Sequence, residues 1–135
     1  MKIFLDANVL FSASNQGSNI TNFIMRLCDE HLLVTSHYAF AEAHRNIIVK
    51  RPQWQEGLNS LLQNVTRIAD TKLAKDIPLQ EKDRPILGSA IAASCDYLLT
   101  GDKKDFGHLY GTKIGSVTVV SYTMLAEMMP LKNNP

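Results

Sequence analysis

Two rhythms of apolar and polar positions take turns along this chain. KIFLD, Lys2–Asp6, is a compact apolar run closed by a carboxylate and predicts a strand. Ile20–Glu30 follows with helical spacing of Ile20, Phe23, Ile24 and Leu27. LLVTS, Leu32–Ser36, predicts a second strand and Tyr38–Lys50 a helix that stops before Pro52, since the residue preceding proline disfavours helical geometry. Trp54–Gln63 carries another helical stripe of Trp54, Leu58, Leu61 and Leu62. VTRIA, Val65–Ala69, is β-branched enough for a third strand, and a polar stretch broken by Pro78 connects it to a helix over Asp83–Ser94. Pro85 sits in that helix's first turn, where its missing N–H does no harm. Gly88, Ser89, Ala90, Ala92 and Ala93 make the helix narrow enough to lie close against a sheet. DYLLT and VTVVS complete five strands, and Tyr122–Met129 forms a last helix before Pro130.

Strands that alternate with helices require right-handed crossovers. The predicted architecture is therefore a three-layer α/β/α sandwich around a mostly parallel five-stranded sheet. One domain over residues 1–130 is expected, with a flexible tail at 131–135. In such sheets ligands bind beyond the carboxyl ends of the strands, near the reversal of strand order.

That rule sorts the acids. Asp6 closes the first strand, Asp102 lies just past the fourth, and Asp83 opens a helix that must run back down the sheet. All three therefore belong at the carboxyl edge. Glu42 is within the opening turns of its helix, still near that edge at ~1.5 Å rise per residue. Asp105, a turn beyond Asp102, can reach the same place. Asp96 begins a strand and belongs at the opposite edge.

Each acid also has a plain reading: Asp83 as a helix cap, Glu42 as half of a solvated pair with Arg45 or Asn46, and Asn8 as a cap. Asp6 resists one, because an unpaired carboxylate at the end of a buried strand is costly. Several carboxylates at one edge repel each other, and a hard divalent cation removes the conflict. Oxygen-only donors favour Mg²⁺ or Mn²⁺, and no Cys/His cluster has zinc spacing. Carboxylate-held metal ions activate water for phosphodiester attack. In LLTGDKKDF, Lys103 and Lys104 would meet backbone phosphate, joined by Arg45, Lys82 and Arg84.

Bulk properties narrow the classes without choosing among them. The chain has 135 residues, 14 Lys plus Arg against 13 Asp plus Glu, and a formal charge of +1. That balance excludes a strongly basic nucleic-acid coat but allows a local basic patch. Cys28 and Cys95 read as small packing residues in a reducing compartment. Asp6 and Asn8 interrupt the first apolar run too early for a signal peptide, and no stretch is apolar enough to span a bilayer. A cytoplasmic protein with no membrane partner is expected.

FLDANVL, AEAHRN around Glu42, and KDRPILGSAIAASCDYLLTGDKKDF, in that order, resemble the PIN-domain ribonucleases, and in particular VapC-like toxins of toxin–antitoxin pairs. The resemblance spans nearly the whole chain. It implies a PIN-like fold, Mg²⁺- or Mn²⁺-dependent endonucleolytic cleavage of RNA, homodimerisation, and inhibition by a small antitoxin. By position it makes Asp6, Glu42 and Asp83 the first three acids and Asp102 the fourth, with Asp105 additional and Asn8 and Thr100 supporting. Asp6, Asp83 and Asp102 would hold the metal; which of Asp102 and Asp105 is the fourth ligand stays open. Two alternatives use the same sheet. A haloacid-dehalogenase-like phosphatase also pairs a first-strand aspartate with a GD…D motif, but its general acid would fall on Asn8, which cannot deliver the proton. A catalytically inactive PIN-like module that binds RNA or protein would have no need of mutually repelling acids.

Overall fold

The computed structural model describes residues 1–129, so the expected tail at 131–135 lies outside the described residues. Among those residues the sheet has six strands rather than five. In chain order the first half contains β1 (Lys2–Leu5), α1 (Ala7–Ala13), α2 (Asn19–Leu27), β2 (Leu32–Ser36), α3 (His37–Lys50) and α4 (Gln55–Leu62). A 3₁₀ turn, Pro52–Trp54, joins α3 to α4. The second half contains β3 (Thr66–Ile68), α5 (Arg84–Ala92), β4 (Tyr97–Leu99), α6 (Lys103–Phe106), β5 (Lys113–Ile114), β6 (Val117–Val120) and α7 (Tyr122–Met128).

The sixth strand is β5, two residues long and antiparallel to β6 across the turn at Gly115 and Ser116. Two residues cannot show an alternation, which is why the pattern missed it. Gly115 sits at φ +61°, a conformation that favours glycine in a tight hairpin.

Strand order is β3-β2-β1-β4-β6-β5, with every pairing parallel except the last. The order runs outward from β1 in one direction and from β4 in the other, so the reversal lies between β1 and β4. Leu5 pairs with Leu99, and Asp6 N donates to Leu99 O at 3.1 Å, which extends the pairing to the carboxyl edge. Successive strand residues point to opposite faces. Ile3, Phe4 and Leu5 are all fully buried, as are Leu98 and Leu99, so both faces of the central strands are covered. This is a three-layer α/β/α sandwich.

Several strands pass into helices through one capping residue. Ser36 Oγ accepts from Ala39 N at 3.1 Å, and Ser121 Oγ accepts from Met124 N at 3.2 Å. Asp6 Oδ1 accepts from Ala7 N at 2.7 Å at the start of α1. This abrupt junction puts a helix where the sequence pattern had none.

The polar stretch after β3 is a strap laid across α5. Arg84 pins it by donating to Ile77 O at 2.9 Å, Lys75 O at 2.7 Å and Leu73 O at 3.4 Å. Ser89 Oγ accepts from Thr71 N at 2.8 Å. A Cβ on Gly88 would collide with the Thr71 carbonyl oxygen. The small residues of α5 therefore admit the strap as well as the sheet.

Candidate metal centre

The β1/β4 reversal gathers the acids. Asp6 leaves β1, Asp102 follows β4 by three residues, and Asp83 directly precedes α5. Asp102 Oδ1 accepts from Asp105 N at 3.0 Å and so caps the short α6. Serine performs the same capping after β2 and β6, and caps comparably well. Capping alone therefore does not call for aspartate at the two junctions that flank the reversal.

One ligand atom from each of Asp83, Asp102 and Asp105 lies within 4.8 Å of the others. The sequence expectation named Asp6, Asp83 and Asp102 for the metal and left open whether Asp102 or Asp105 is the fourth ligand; the compact trio holds both of these beside Asp83. A short helix brings this about, because α6 turns Asp105 back inward until it is 6% exposed. Asp6 lies on the wall of the same cavity, about 210 Å³ in volume, together with Glu42, Asp83 and Asp102.

Asp6 is fully equipped with donors. Its Oδ2 accepts from Thr100 Oγ1 at 2.7 Å and from Asn8 Nδ2 at 3.2 Å, beside the Ala7 bond to Oδ1. Asn8 Oδ1 in turn accepts from Gly101 N at 2.7 Å, and Thr100 Oγ1 accepts from Asp102 N at 3.1 Å. Tyr110, which the sequence reading passed over, donates to Thr100 O at 2.9 Å and closes this network from the far side. Even so, burial pushes the Asp6 carboxyl up to about 6, against the bonds from Thr100 and Ala7, and the charges of Glu42 and Asp102 add to the rise.

Asp83 is the opposite case. It occupies the cap position of α5, yet its side chain caps nothing. Its Oδ2 is buried and has no hydrogen-bond partner. Burial raises this carboxyl well above the usual range, and neighbouring Asp105 raises it further, while Lys82 opposes. Asp105 is held low by a hydrogen bond from Asp83 and by Lys82. Two ionised carboxylates cannot hydrogen-bond each other, so the chain alone relieves this pair only by protonating Asp83. A divalent cation relieves it without a proton, and the oxygen-only donors suit Mg²⁺ or Mn²⁺.

The cations are distributed unevenly. Lys82 Nζ lies 3.1 Å from Asp105 Oδ2, with its side chain 56% exposed. Lys103 and Lys104 are exposed on α6, and Arg45 is exposed on α3. Arg84, expected among the RNA-facing cations, also holds the strap through the carbonyls of Leu73, Lys75 and Ile77. The cavity also includes Asn46 of the AEAHRN motif, and Phe11 and Lys50, which no motif had singled out.

A parallel sheet reversed between β1 and β4, with carboxylates collected at that reversal, is a PIN-like α/β/α fold. The chain is similar over 90% of its length to 99% of a chain in the crystal structure of VapBC2 from Rickettsia felis bound to a DNA fragment from their promoter, with a TM-score of 0.67 and 20% sequence identity. That likeness carries the fold and agrees with the resemblance to VapC-like PIN domains. No protein-family model and no curated protein sequence matches the chain. Among the described residues, no helix is long and apolar enough to cross a membrane.

Proposed function

We propose that this protein is a Mg²⁺- or Mn²⁺-dependent endoribonuclease and the toxin of a toxin–antitoxin pair. The observation that carries the reading is the buried, unpartnered Asp83 Oδ2 beside Asp102 and Asp105. A folded chain leaves such an atom without a donor at a cost of about 1–3 kcal/mol, more for a charged group. A cation that binds there offsets it.

In this reading Asp83, Asp102 and Asp105 hold the ion, and Asp6 serves it from the adjoining wall through an orientation set by Thr100 and Asn8. Bound Mg²⁺ or Mn²⁺ supplies an activated water and neutralises charge on the phosphate. Glu42 faces the same cavity from α3 and is placed to orient that water and accept its proton. Lys82, Lys103, Lys104 and Arg45 receive the RNA backbone. Water adds to phosphorus, the P–O3′ bond breaks and the 3′-oxygen leaves and takes up a proton, so the products are a 3′-hydroxyl and a 5′-phosphate. Asn8 is fully engaged as an amide with Asp6, Thr100 and Gly101, which disfavours the phosphatase alternative.

The likeness to a chain of a VapBC2 complex supports a small antitoxin as partner, and a homodimer is the assembly we propose. The test is incubation of purified protein with cellular RNA in Mn²⁺ or chelator, alongside Asp83→Asn and Asp6→Asn. Cleavage that needs Mn²⁺ and disappears in both variants is expected. Wild-type rates in both variants would overturn the site, and RNA binding without cleavage would favour the inactive module. Growth arrest on expression, relieved by a neighbouring gene product, tests the toxin assignment.

A further inference from the structure

The strap between β3 and α5 is neither helix nor strand from residue 69 onward, yet it ends on Asp83. Such a segment takes its path from whatever holds its backbone groups. On one side that is α5 itself, through Arg84 and Ser89. On the other side it is the 3₁₀ turn Gly107–Leu109, which continues α6. His108 Nε2 stands 2.6 Å from Pro78 O. A carbonyl oxygen only accepts, so Nε2 carries the proton and donates. The preceding carbonyl, Ile77 O, accepts from Arg84 at 2.9 Å. Two consecutive strap carbonyls are therefore fastened to different elements, one to α5 and one to the turn behind Asp105.

An ordinary role for His108 is to tack down a surface loop. Its place in the chain gives that tack a consequence. His108 lies three residues after Asp105, and Pro78 lies five residues before Asp83. Asp105 N and Phe106 N donate to Asp102, and Gly107 N donates to Lys103 O, so the α6 side is one stiff unit. Asp83 N and Arg84 N both donate to Gln80 O, at 2.9 and 3.2 Å, which closes the end of the strap into a turn. The His108 bond thus joins two short, stiff pieces that carry the carboxylates of Asp83 and Asp105. A second polar link between them, Lys82 to Asp105, runs through a largely exposed lysine and is correspondingly weak.

We propose that His108 is a positioning residue for the candidate metal centre: by holding Pro78 O it fixes the strap against the α6 side and sets the separation of Asp83 and Asp105. The inference rests on the reading of the acid trio as a metal site and deepens it by naming what keeps the trio closed. When both carboxylates are ionised they push the strap and α6 apart, and the His108 bond opposes that push. A site gathered beforehand spends less of its binding energy on ordering. Mg²⁺ demands oxygens at about 2.0–2.1 Å in a near-ideal octahedral array, whereas Ca²⁺ accepts a looser one at about 2.3–2.6 Å. A slackened gap therefore costs Mg²⁺ more than Ca²⁺.

The experiment titrates Mn²⁺ into the full chain and follows the free ion by electron paramagnetic resonance, with displacement by Mg²⁺ and by Ca²⁺ as further arms. Wild type is set beside His108→Ala and His108→Gln; the glutamine amide donates a hydrogen bond but takes up no proton. His108→Ala is expected to weaken Mn²⁺ and Mg²⁺ binding by roughly threefold to tenfold, the equivalent of one hydrogen bond, and Ca²⁺ binding by less. His108→Gln should recover most of the loss. In chelator, amide exchange at Ile77 and Asp83, which donate to Lys75 O and Gln80 O, should quicken in His108→Ala because the strap opens more often.

The proposal is overturned if natively folded His108→Ala binds Mn²⁺ like wild type, if Ca²⁺ weakens as much as Mg²⁺, or if His108→Gln behaves like His108→Ala. Its failure is separable from that of the metal reading. Mn²⁺ bound equally by all three proteins keeps the metal and removes the positioning role. A wild type that binds no Mn²⁺ removes the metal, and exchange in chelator then decides: quicker exchange in His108→Ala keeps the positioning role and unchanged exchange overturns it.

Discussion

The two edges of the central strands treat an aspartate in opposite ways. At the amino edge, Asp96 Oδ2 accepts from Lys2 N at 2.8 Å, Asp96 N donates to Lys2 O at 2.8 Å, and Lys2 Nζ donates to Ala93 O at 2.8 Å. Charge and backbone are closed on each other between the start of β1 and the approach to β4. At the carboxyl edge, Asp83 is buried with one oxygen unpartnered while Asp102 and Asp105 crowd beside it. Asp96 at one edge is given donors, as is Asp6 at the other; Asp83 alone of the three has a buried oxygen left short of them. The same strand pair, β1 and β4, carries both.

The sharpest way to break this comparison is to neutralise each aspartate in turn. Asp83→Asn is expected to lower Mn²⁺-dependent RNA cleavage by about a hundred- to a thousandfold, the scale set by loss of one group that stabilises transition-state charge. The same change removes a buried repulsion, so the metal-free protein should melt higher, not lower. A variant that cleaves normally would place Asp83 with Asp96 as a purely structural acid.

Proton linkage gives the next effect. The folded chain holds the Asp6 proton up to about pH 6, whereas an unperturbed carboxyl releases it near 3.8. The folded state therefore binds more protons between those values, and stability must fall as pH rises through that window. The shift corresponds to about 3 kcal/mol. Urea melts in chelator should show the fall, and Mn²⁺ should raise Tm more at pH 7.5 than at pH 5. A flat profile would mean that Asp6 carries no excess of proton affinity.

Thr100→Val removes the shortest donor to Asp6 and leaves its shape in place. Stability at neutral pH should drop by about 1–3 kcal/mol, because Asp6 then stays ionised with fewer donors. The descent with pH should begin at the same pH as in wild type and extend to higher pH, because only the folded-state value of Asp6 rises. Asp96→Asn gives the smallest effect: about 1 kcal/mol of stability and no change in cleavage, since an amide oxygen still accepts from Lys2 N. Loss of cleavage in Asp96→Asn with an intact melt would erase the distinction between the edges.

Much of this was legible in the linear order of residues. The strands at Lys2–Leu5, Leu32–Ser36 and Val117–Val120 follow from local runs of apolar residues, and the acids follow from where those runs stop. Pieces too short to hold a period were not legible: β5 with two residues and α6 with four. The second omission mattered more, since α6 turns Asp105 into the trio. The hold of Arg84 on the strap was not legible for a related reason. A basic residue beside an acidic motif resembles a phosphate contact, and only the path of the strap brings the carbonyls of Leu73, Lys75 and Ile77 to it. His108 and Pro78 lie on different segments, and no periodicity connects them.

The amino-acid order on its own determined the layered α/β class, the succession of elements and the edge on which Asp6, Asp83 and Asp102 emerge. These depend on backbone hydrogen bonding and side-chain alternation, which act over a few residues. The tertiary structure decided which carboxylates meet, which of them receives donors and which cation is already engaged. Those outcomes depend on crossovers that bring residues as distant as Asp6 and Thr100 within 2.7 Å, and on desolvation, which arises only when the layers close over them.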